Sequence, residues 1–423
     1  MNISQVMFVI IEIQYFQIFL RYRDNVLMNL EMRYIVPDEY ASFMVAAARG
    51  FGWHWDESNA ELAKPDQDRS IAVFDSNKIV GCAHSFNREI NVPGGKLGCA
   101  AVDDVTVLPT HRRRGILNKM MAEQLNNFYE RGEPIAALFP TESLIYGRYG
   151  YGIGTPEESW KIDTRHSDYI NPFESKGELS FIESEIVPRT FPNVFANAMK
   201  NRPGSIQPTQ HRWERIASDR QKPKGDRSGY FHVKYERDGK IEGYVRYHLN
   251  NDTVVVDELI SETIDAHASL WRYCFDIDLR WNLEARHRPA DDILPWILSD
   301  PRHLIRKSSD GLWIRIVDIL NALSYRCYAD TGSVVLEIID PLCPWNEGRF
   351  ELDSSPEGSR CRQTSKGADL IITIENLATV YLGGTTFSLL NRAGRADEIK
   401  DGSIARADAI FKTVLKPWCA FHF

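Results

Sequence analysis

The chain has 423 residues, of which 43% are hydrophobic and 26% are charged, so we expect a globular protein of two or three domains. The formal net charge of −8 argues against a nucleic-acid partner and gives weak support to a cationic ligand. Seven scattered cysteines without a Cys-x-x-Cys pair are typical of reduced thiols in a cytoplasmic protein, and they predict no metal site.

The sequence at the start of the chain does not indicate a segment of the globular fold. Residues 6–20 are apolar but contain a glutamate and two glutamines, which makes the segment too polar for a membrane span. It also lacks the basic start and small-residue cleavage site of a signal peptide. Because Met28 and Met32 precede the first globular-looking segment, we expect residues 1–31 to be an extension from an over-called start codon or a peripheral helix.

A hairpin, a strand and a helix are predicted in succession in the first part of the chain. Residues 70–76 and 78–86 form the hairpin across Asn77, and residues 99–107 form the next strand. The helix ends before Gly132. Its apolar side consists of Ile116, Leu117, Met120, Met121, Leu125 and Phe128.

Between this strand and this helix lies a basic turn, Pro-Thr-His-Arg-Arg-Arg-Gly, at residues 109–115. A turn at a helix start presents free backbone N–H groups, and arginines beside them add charge-assisted donors. Such a turn suits a pyrophosphate group. The simpler alternative is that this turn is a basic surface exposed to solvent. That interpretation holds if nothing else in the chain supports a binding site.

A similar order of elements recurs later in the chain. Residues 229–236 and 240–249 form a hairpin around Asp238-Gly239, followed by a strand at residues 253–260 and a helix at residues 266–279. We infer a duplicated unit. Because the second copy lacks an arginine-rich turn, one copy would bind a cofactor and the other would be structural.

From about residue 305 onward the pattern predicts a small α+β domain. The expected strands lie at residues 312–316, 333–339, 349–352 and 370–374, and the expected helices at residues 317–325, 378–391 and 404–414. Residues 354–366 are predicted to be a turn or loop. The chain ends in an apolar tail at residues 418–423.

Three segments carry a resemblance to a known family. They are residues 105–117, residues 145–152 (Ile-Tyr-Gly-Arg-Tyr-Gly-Tyr-Gly), and residues 310–316 together with a chain that ends on Phe423. In these segments the chain resembles the enhanced-intracellular-survival (Eis) type of GCN5-related N-acetyltransferase, across nearly all of residues 32–423. Leu117 is a departure, since the wider superfamily prefers glycine or alanine at that position of the loop.

The resemblance implies a mixed α/β (α+β) fold with three domains. We expect a catalytic acetyltransferase domain at residues 32–170 and a degenerate acetyltransferase-like domain at residues 171–304. A sterol-carrier-protein-like domain at residues 305–423 would end in the active site. Family members are commonly hexamers, so a homo-oligomer is expected.

The resemblance also implies acetyl-CoA as co-substrate and assigns residues to it. Arg112, Arg113 and Gly115 would hold the pyrophosphate. The backbone of Val105 and Val107 would pair with the pantetheine arm like an added strand, and one amide there would polarise the thioester carbonyl. Their side chains are ordinary strand core. Thr141 stands where relatives usually have a serine that contacts the cofactor.

Two catalytic roles follow from the same resemblance. Tyr146 would protonate the thiolate leaving group, because a phenol with a pKa of about 10 can give its proton to a thiolate at modest cost. The carboxylate of the last residue, Phe423, would deprotonate the amine. Most chain ends fray in solvent, but two phenylalanines in the tail favour docking. Tyr149 and Tyr151 are expected to be packing residues.

Two further features are left open by the sequence. His422 stands where relatives often carry an acidic residue, and it is either a structural histidine or a base in its own right. Residues 51–57, with two tryptophans and two acids, either form one wall of a pocket for a cationic amine or pack a domain interface and cap a helix.

The leading hypothesis is therefore an acetyl-CoA-dependent N-acetyltransferase acting on aminoglycoside-like polyamines or lysine side chains through a ternary complex. The alternative is a lipid- or ligand-binding protein whose acetyltransferase scaffold is not catalytic; the intact arginine turn and Tyr146 argue against it. A third hypothesis, transfer of longer acyl chains, uses the same residues and differs only in the width of the thioester pocket.

Overall fold

The computed structural model describes residues 30–55, 67–218 and 227–423. The chain divides into two compact units, of which unit 1 comprises Met1–Asn87 and Ala100–Gly132, and unit 2 comprises Arg88–Cys99 and Glu133–Phe423. Most of the predicted N-terminal extension lies outside the described residues. Within the described part of the chain, no helix is both long and apolar enough to cross a membrane.

Unit 1 contains four neighbouring strands in the order β1-β2-β3-β4 and two helices. The far end of the β3–β4 hairpin belongs to unit 2. The elements are β1 (Leu30–Tyr34), α1 (Tyr40–Phe51), β2 (Ile71–Asp75), β3 (Lys78–Val92), β4 (Gly95–Val107) and α2 (Ile116–Glu130). The predicted hairpin, strand and helix are confirmed.

Helix α2 buries the side that its sequence predicts. Five of the six predicted apolar residues are buried, and Leu117 is half-buried. Gln124 also lies on the buried side, where its side-chain amide donates to the carbonyl of His84 at 3.3 Å. That hydrogen bond satisfies one polar group of a side chain that would otherwise be costly to bury. The helix ends near Gly132, whose φ of +69° is left-handed.

Unit 2 contains a sheet with the strand order β13-β7-β12-β11-β10-β9-β8. Its strands are β7 (Pro156–Asp163), β8 (Glu178–Phe181), β9 (Arg227–Arg237), β10 (Lys240–Asn250), β11 (Thr253–Ser261), β12 (Asn282–Arg288) and β13 (Ile305–Asp310). The hairpin of β9 and β10 turns at Asp238 and Gly239, which both have positive φ as a tight two-residue turn requires. This second hairpin, its strand and the helix that follows confirm the predicted repeat.

The helices of this part of unit 2 include one that is shorter than predicted. They are α3 (Ser143–Tyr146), α4 (Val187–Met199), α5 (Gln210–Ser218), α6 (Ile264–Phe275) and α7 (Leu294–Ile297). The helix predicted to run to Leu279 ends at Phe275. Leu279 has a φ of +64° and is 76% exposed, so it has neither the backbone conformation nor the burial of a core helix residue.

A third sheet, also in unit 2, has the strand order β17-β16-β15-β18-β19. Its strands are β15 (Gly332–Ile339), β16 (Gly348–Ser355), β17 (Gly358–Gln363), β18 (Leu370–Thr373) and β19 (Ala396–Glu398). Its helices are α8 (Ile319–Ser324), α9 (Ile374–Tyr381), α10 (Phe387–Arg392) and α11 (Ser403–Phe411). The parallel pairing of β15 with β18 makes this sheet mixed.

Two sequence predictions in this region were wrong. Residues 354–366 are not simply a loop, because β17 pairs antiparallel with β16 along six positions. The single helix predicted at residues 378–391 is two helices. Gly383, with a φ of +83°, ends the first, and the Thr386 hydroxyl caps the second by accepting from the N–H of Leu389 at 3.1 Å.

Strand β14 (Trp313–Ile316) joins neighbours that are distant in sequence. It pairs antiparallel with β5 (Ile135–Leu138) and with β6 (Gly152–Ile153), rather than with the C-terminal sheet. The apolar pattern that predicted this strand does not show which strands it pairs with. Its apolar residues join a large core of unit 2 that also includes the tail residues Trp418, Cys419, Ala420 and Phe421.

Candidate active site

The basic turn of unit 1 is held against the backbone by its first arginine. Arg112 Nε donates to the carbonyl of Val107 at 3.0 Å, and Nη2 donates to the carbonyl of Gly50 at 3.1 Å. Arg114 Nη2 donates to the carbonyl of Thr110 at 3.0 Å. These bonds tie the turn to the end of β4 and to α1, so Arg112 fixes the shape of the turn.

The same turn presents backbone amides at the start of α2. Arg113 has a φ of +64° and Gly115 a φ of +84°, both in the left-handed region, and Gly115 is the N-cap residue of the helix. No side chain caps this helix start. Because the first N–H groups of a helix have no partner within it, they are available to an anion together with the positive end of the helix dipole.

Strand β4 is interrupted just before the predicted cofactor residues. Asp104 has a φ of +53° inside the strand, and its N–H donates to Asp103 Oδ1 at 2.8 Å. Val105, which follows, is half-buried, while the side chain of Val107 joins the core around β2 and α2. A left-handed residue bends a strand and frees part of its backbone from pairing, as a bulge does.

The two adjacent carboxyl groups are a feature that sequence reasoning missed. Burial, and after it the charge of Asp103, raise the pKa of Asp104 to about 7. Burial also raises the pKa of Asp103, against the lowering effect of the hydrogen bond from Asp104. Two acids inside the apolar run at residues 100–107 are a signal that could have found them, because strand core seldom holds an unpaired carboxylate.

Part of the predicted acceptor wall lies in the described residues. Trp55 contacts Tyr40 edge to face, with ring centroids 6.2 Å apart, while Trp53 is 45% exposed. Asp56 and Glu57 lie outside the described residues.

Unit 2 holds the remaining predicted site residues. Strand β5 ends at Leu138, Thr141 is exposed two residues beyond Phe139, and Tyr146 is buried at the end of α3. The rings of Tyr146 and Tyr151 lie edge to face with centroids 6.0 Å apart.

The glycines around Tyr146 are explained by close packing. A Cβ on Gly152 would lie 2.2 Å from the carbonyl oxygen of Glu375, and one on Gly150 would lie 2.8 Å from the guanidinium of Arg315. Tyr149 and Tyr151 are both buried, which agrees with the predicted packing role. Burial raises the pKa of each of these two phenols.

The C-terminal tail is docked, as its aromatic residues predict. Trp418 N–H donates to the carbonyl of Pro203 at 2.8 Å, and its indole Nε1 donates to the carbonyl of His287 at 2.9 Å. The Arg212 guanidinium lies 4.3 Å from the ring centroid of Phe421. The tail therefore packs like core rather than fraying as most chain ends do.

The last two residues meet the end of β5. The ring of His422 stacks on that of Phe139 with centroids 3.8 Å apart, and the ring of Phe423 lies 5.2 Å from the same ring. His422 Nε2 also lies 3.4 Å from Glu157 Oε2. The predicted residues thus fall into two groups: Val105, Val107, Arg112, Arg113 and Gly115 in unit 1, and Thr141, Tyr146 and Phe423 in unit 2.

Comparison with known domain families matches almost the whole described chain. An acetyltransferase (GNAT) domain matches residues 31–154, a second acetyltransferase (GNAT) domain matches residues 204–316, and a sterol carrier protein domain matches residues 316–420. The α/β fold class, with two acetyltransferase domains and a sterol-carrier-like domain, is confirmed.

Curated relatives are similar along nearly their full length. An uncharacterized N-acetyltransferase of Streptomyces avermitilis is 35% identical over 410 residues, which is 94% of this chain and all of that protein. The N-acetyltransferase Eis of Mycobacterium tuberculosis is 31% identical over 386 residues, covering 84% of this chain and 90% of the relative. The chain belongs to the Eis-type N-acetyltransferase family.

Solved structures agree with this assignment. The crystal structure of Eis1 from Mycobacterium abscessus is 30% identical, with a TM-score of 0.83 over 93% of this chain and all of the other. A GCN5-related N-acetyltransferase from Anabaena variabilis has a TM-score of 0.82 at 17% identity, which supports the fold alone. As a member of the Eis-type family, the protein is an acyltransferase, and GNAT acetyltransferases use acetyl-CoA as co-substrate.

Proposed function

We propose that this Eis-type protein transfers the acetyl group of acetyl-CoA directly to a primary amine within a ternary complex. Its acceptors are aminoglycoside-like polyamines or lysine side chains, and it works as a cytoplasmic homo-oligomer, a hexamer by analogy with its family. Among the described residues no two of the seven cysteines form a disulfide, and a reducing compartment would keep them so.

One observation carries the proposal: the terminal residue Phe423 contacts Phe139 at the end of β5, seven residues before Tyr146. Free chain ends rarely return to the core, and this one follows four buried residues, Trp418, Cys419, Ala420 and Phe421. This ring contact supports a terminal carboxylate that lies near the end of the strand from which the tyrosine segment begins.

Such a carboxylate would offset the main free-energy cost of the reaction, which is the deprotonation of the amine. An alkyl amine with a pKa of about 10.4 is almost wholly protonated at pH 7, and taking its proton costs about 4.6 kcal/mol. A carboxylate in a partly buried site accepts that proton as the amine attacks the thioester carbonyl. The C–S bond then breaks, and Tyr146 gives its phenolic proton to the departing thiolate.

The residues of unit 1 hold the co-substrate in this proposal. The uncapped amides after Gly115, together with Arg113, bind the pyrophosphate, and Arg112 keeps the turn in shape through Val107 and Gly50. The backbone of Val105 and Val107 pairs with the pantetheine arm beside the interruption at Asp104. In unit 2, the hydroxyl of Thr141 adds a polar contact to the co-substrate.

Charge and aromatic rings in unit 1 favour a cationic acceptor. Burial, followed by the charge of Asp104, raises the pKa of Tyr40, so this phenol and carboxylate are close enough to interact. Tyr40 in turn contacts Trp55. Carboxylates beside aromatic faces attract ammonium groups both by charge and by cation–π contact.

The proposal is tested by CoA thiol release from acetyl-CoA with a panel of aminoglycosides, polyamines and a lysine peptide, using protein whose C-terminus is free. Turnover with any of these amines is the expected result. Absence of turnover with every amine, together with no thermal shift on adding acetyl-CoA, would contradict it and favour the lipid-binding alternative.

A further inference from the structure

Two histidines and a glutamate from three separate segments of unit 2 meet at one point. Glu157 lies on β7, His287 on β12 and His422 in the tail. Glu157 Oε2 is 3.0 Å from His287 Nδ1 and 3.4 Å from His422 Nε2. All three atoms lie within 4.8 Å of one another.

The fold positions His287 through an irregularity in the sheet. The pairing of β12 with β7 shifts register between Ala285 and Arg288, and His287 has a φ of +52°. A left-handed conformation costs a residue with a side chain about 1 kcal/mol or more, and such backbone strain concentrates at functional positions. The bulge presents the imidazole beside Glu157 on the neighbouring strand.

The tail positions the other histidine. The hydrogen bond from Trp418 to the carbonyl of His287 fixes the tail beside β12, four residues before His422. The ring of His422 then stacks on Phe139, with its Nε2 directed at Glu157. The rings of His287 and His422 have centroids 4.3 Å apart.

The side chains remain partly accessible, with exposed fractions of 14%, 30% and 45% for Glu157, His287 and His422.

We propose that Glu157, His287 and His422 form a binding site for a divalent transition-metal ion, with Zn²⁺ as the best match. Two imidazoles and one carboxylate are a common zinc ligand set that leaves a position open for water or another ligand. Ligand atoms on tetrahedral zinc are about 3.3 Å apart, given metal–ligand bonds of about 2.0–2.1 Å. The two distances from Glu157 Oε2, 3.0 and 3.4 Å, are already close to that spacing, and the two histidine nitrogens lie within 4.8 Å of each other.

The sequence predicted no metal site, and the reason is the separation of the ligands. Positions 157, 287 and 422 are far apart in the chain and form no short motif. Metal sites are recognised in a sequence by closely spaced cysteines and histidines, so these ligands are not recognisable there. The site is assembled by the pairing of two strands and by the docking of the tail.

A bound ion would also act on the reaction, a consequence that rests on the proposed role of Phe423. The ion would lie on the residue adjacent to the terminal carboxylate. Its positive charge would repel an ammonium acceptor that approaches that carboxylate. Zinc is therefore expected to inhibit acetyl transfer.

Binding is tested with full-length protein that has no affinity tag and has been stripped of metal with a chelator. Isothermal titration with ZnCl₂ should show one ion per chain, and CoCl₂ should give the visible absorption of a bound cobalt ion. Glu157→Gln and His422→Ala should each weaken Zn²⁺ binding at least about tenfold. No binding, or unchanged affinity in both variants, would overturn the site.

A matched control uses another histidine of unit 2. His303 is partly exposed and stacks on His166 with ring centroids 3.7 Å apart. His303→Gln should leave zinc affinity unchanged; loss of binding there would place the ion at the His166–His303 pair and reject the proposed ligands. His422→Ala removes an exposed side chain, so its circular dichroism should match that of the parent.

The inhibition is tested separately from binding. Acetyl transfer should fall by half at a zinc concentration equal to the measured dissociation constant, and Glu157→Gln should require at least about ten times more zinc. Binding without inhibition would reject the link to the Phe423 carboxylate but not the metal site. Inactivity of metal-free protein toward every amine would reject the proposed function and leave the binding result intact.

Discussion

Two neighbouring tyrosines show how residue environment separates packing from chemistry. Tyr151 is fully buried, and its hydroxyl has no hydrogen-bond partner among the described residues. Burial raises its pKa far above the usual value, so it holds its proton too tightly to act as an acid. Tyr146 is also buried, but it lies at the end of a short helix that follows the exposed Thr141, and its role as the acid stays a prediction.

Tyr146→Phe should lower kcat for acetyl transfer by about 100-fold or more while leaving acetyl-CoA affinity nearly unchanged, because a general acid acts only as the thiolate leaves. Steady-state kinetics and calorimetry measure the two quantities. Tyr151→Phe is the matched control, since it also removes a phenol but should keep turnover and at least the parental melting temperature. Equal turnover in Tyr146→Phe and the parent would remove its acid role.

At about pH 8, where an Asp104 carboxyl with a pKa of about 7 is mostly ionised, Asp104→Asn should raise KM for a polyamine acceptor several-fold and leave KM for acetyl-CoA within about twofold, because it removes a negative charge close to Tyr40 but no proposed co-substrate contact. Initial rates at varied acceptor concentration provide the measurement. A change in KM for acetyl-CoA alone would show that the carboxyl group stabilises β4 and does not bind the acceptor.

Local residue patterns explain which site residues could be predicted from sequence. The arginine turn and the tyrosine segment are contiguous motifs, so Arg113 and Tyr146 could be proposed from the sequence, and their roles stay predictions. The Asp103–Asp104 pair carried a sequence signal, two acids within an apolar run, but the raised pKa of both carboxyl groups depends on burial that the sequence does not give. The grouping of Glu157 with two histidines depends on strand pairing and could not be read from the chain.

At the scale of elements, the Tyr146–Gly152 segment is fixed by its contact with α9. Gly152→Ala would bring a methyl group to within 2.2 Å of the Glu375 carbonyl oxygen, which belongs to helix backbone and cannot move freely. We expect a loss of about 1–3 kcal/mol of stability or more, measured as a lower melting temperature. It should also reduce activity by displacing Tyr146.

Gly132→Ala is the control for that substitution. It has a left-handed φ of +69° but open space around the added methyl group, so only the backbone conformation is penalised, by about 1 kcal/mol. A melting temperature for Gly152→Ala above that of Gly132→Ala would contradict the packing described for the segment.

The elements that could be predicted are those with local signals. Both hairpins and α2 follow from alternation, tight turns and helical periodicity within a few residues. Strand β17 was missed because its six residues, Gly358–Gln363, are largely polar and owe their order to pairing with β16. The helix predicted across Gly383 and Gly384 failed because apolar periodicity alone cannot outweigh two glycines.

At the scale of the whole molecule, the first described strand predicts which shortened proteins keep their stability. Leu30–Tyr34 pairs with Ile71–Asp75 along its full length. A start at Met28 should leave the melting temperature and activity unchanged, because it keeps all of β1. A start at Met32 removes Leu30 and Glu31 and should lower the melting temperature; thermal scans of the three proteins decide between these outcomes.

We propose that the chain's own C-terminus completes the acetyltransferase. The tail is held by hydrogen bonds from Trp418 and by the rings of Phe139 and Phe421. Moving the terminal carboxylate by even one residue should therefore separate the base from its position without disturbing the buried part of the tail.

The most direct test adds a single glycine after Phe423 and compares kcat/KM with that of the parent and of a protein carrying the same glycine at the N-terminus. The account predicts a loss of about 100-fold or more in the C-terminal variant only, with an unchanged melting temperature and acetyl-CoA affinity. Full activity of the C-terminally extended protein would contradict the assignment of the terminal carboxylate as the base.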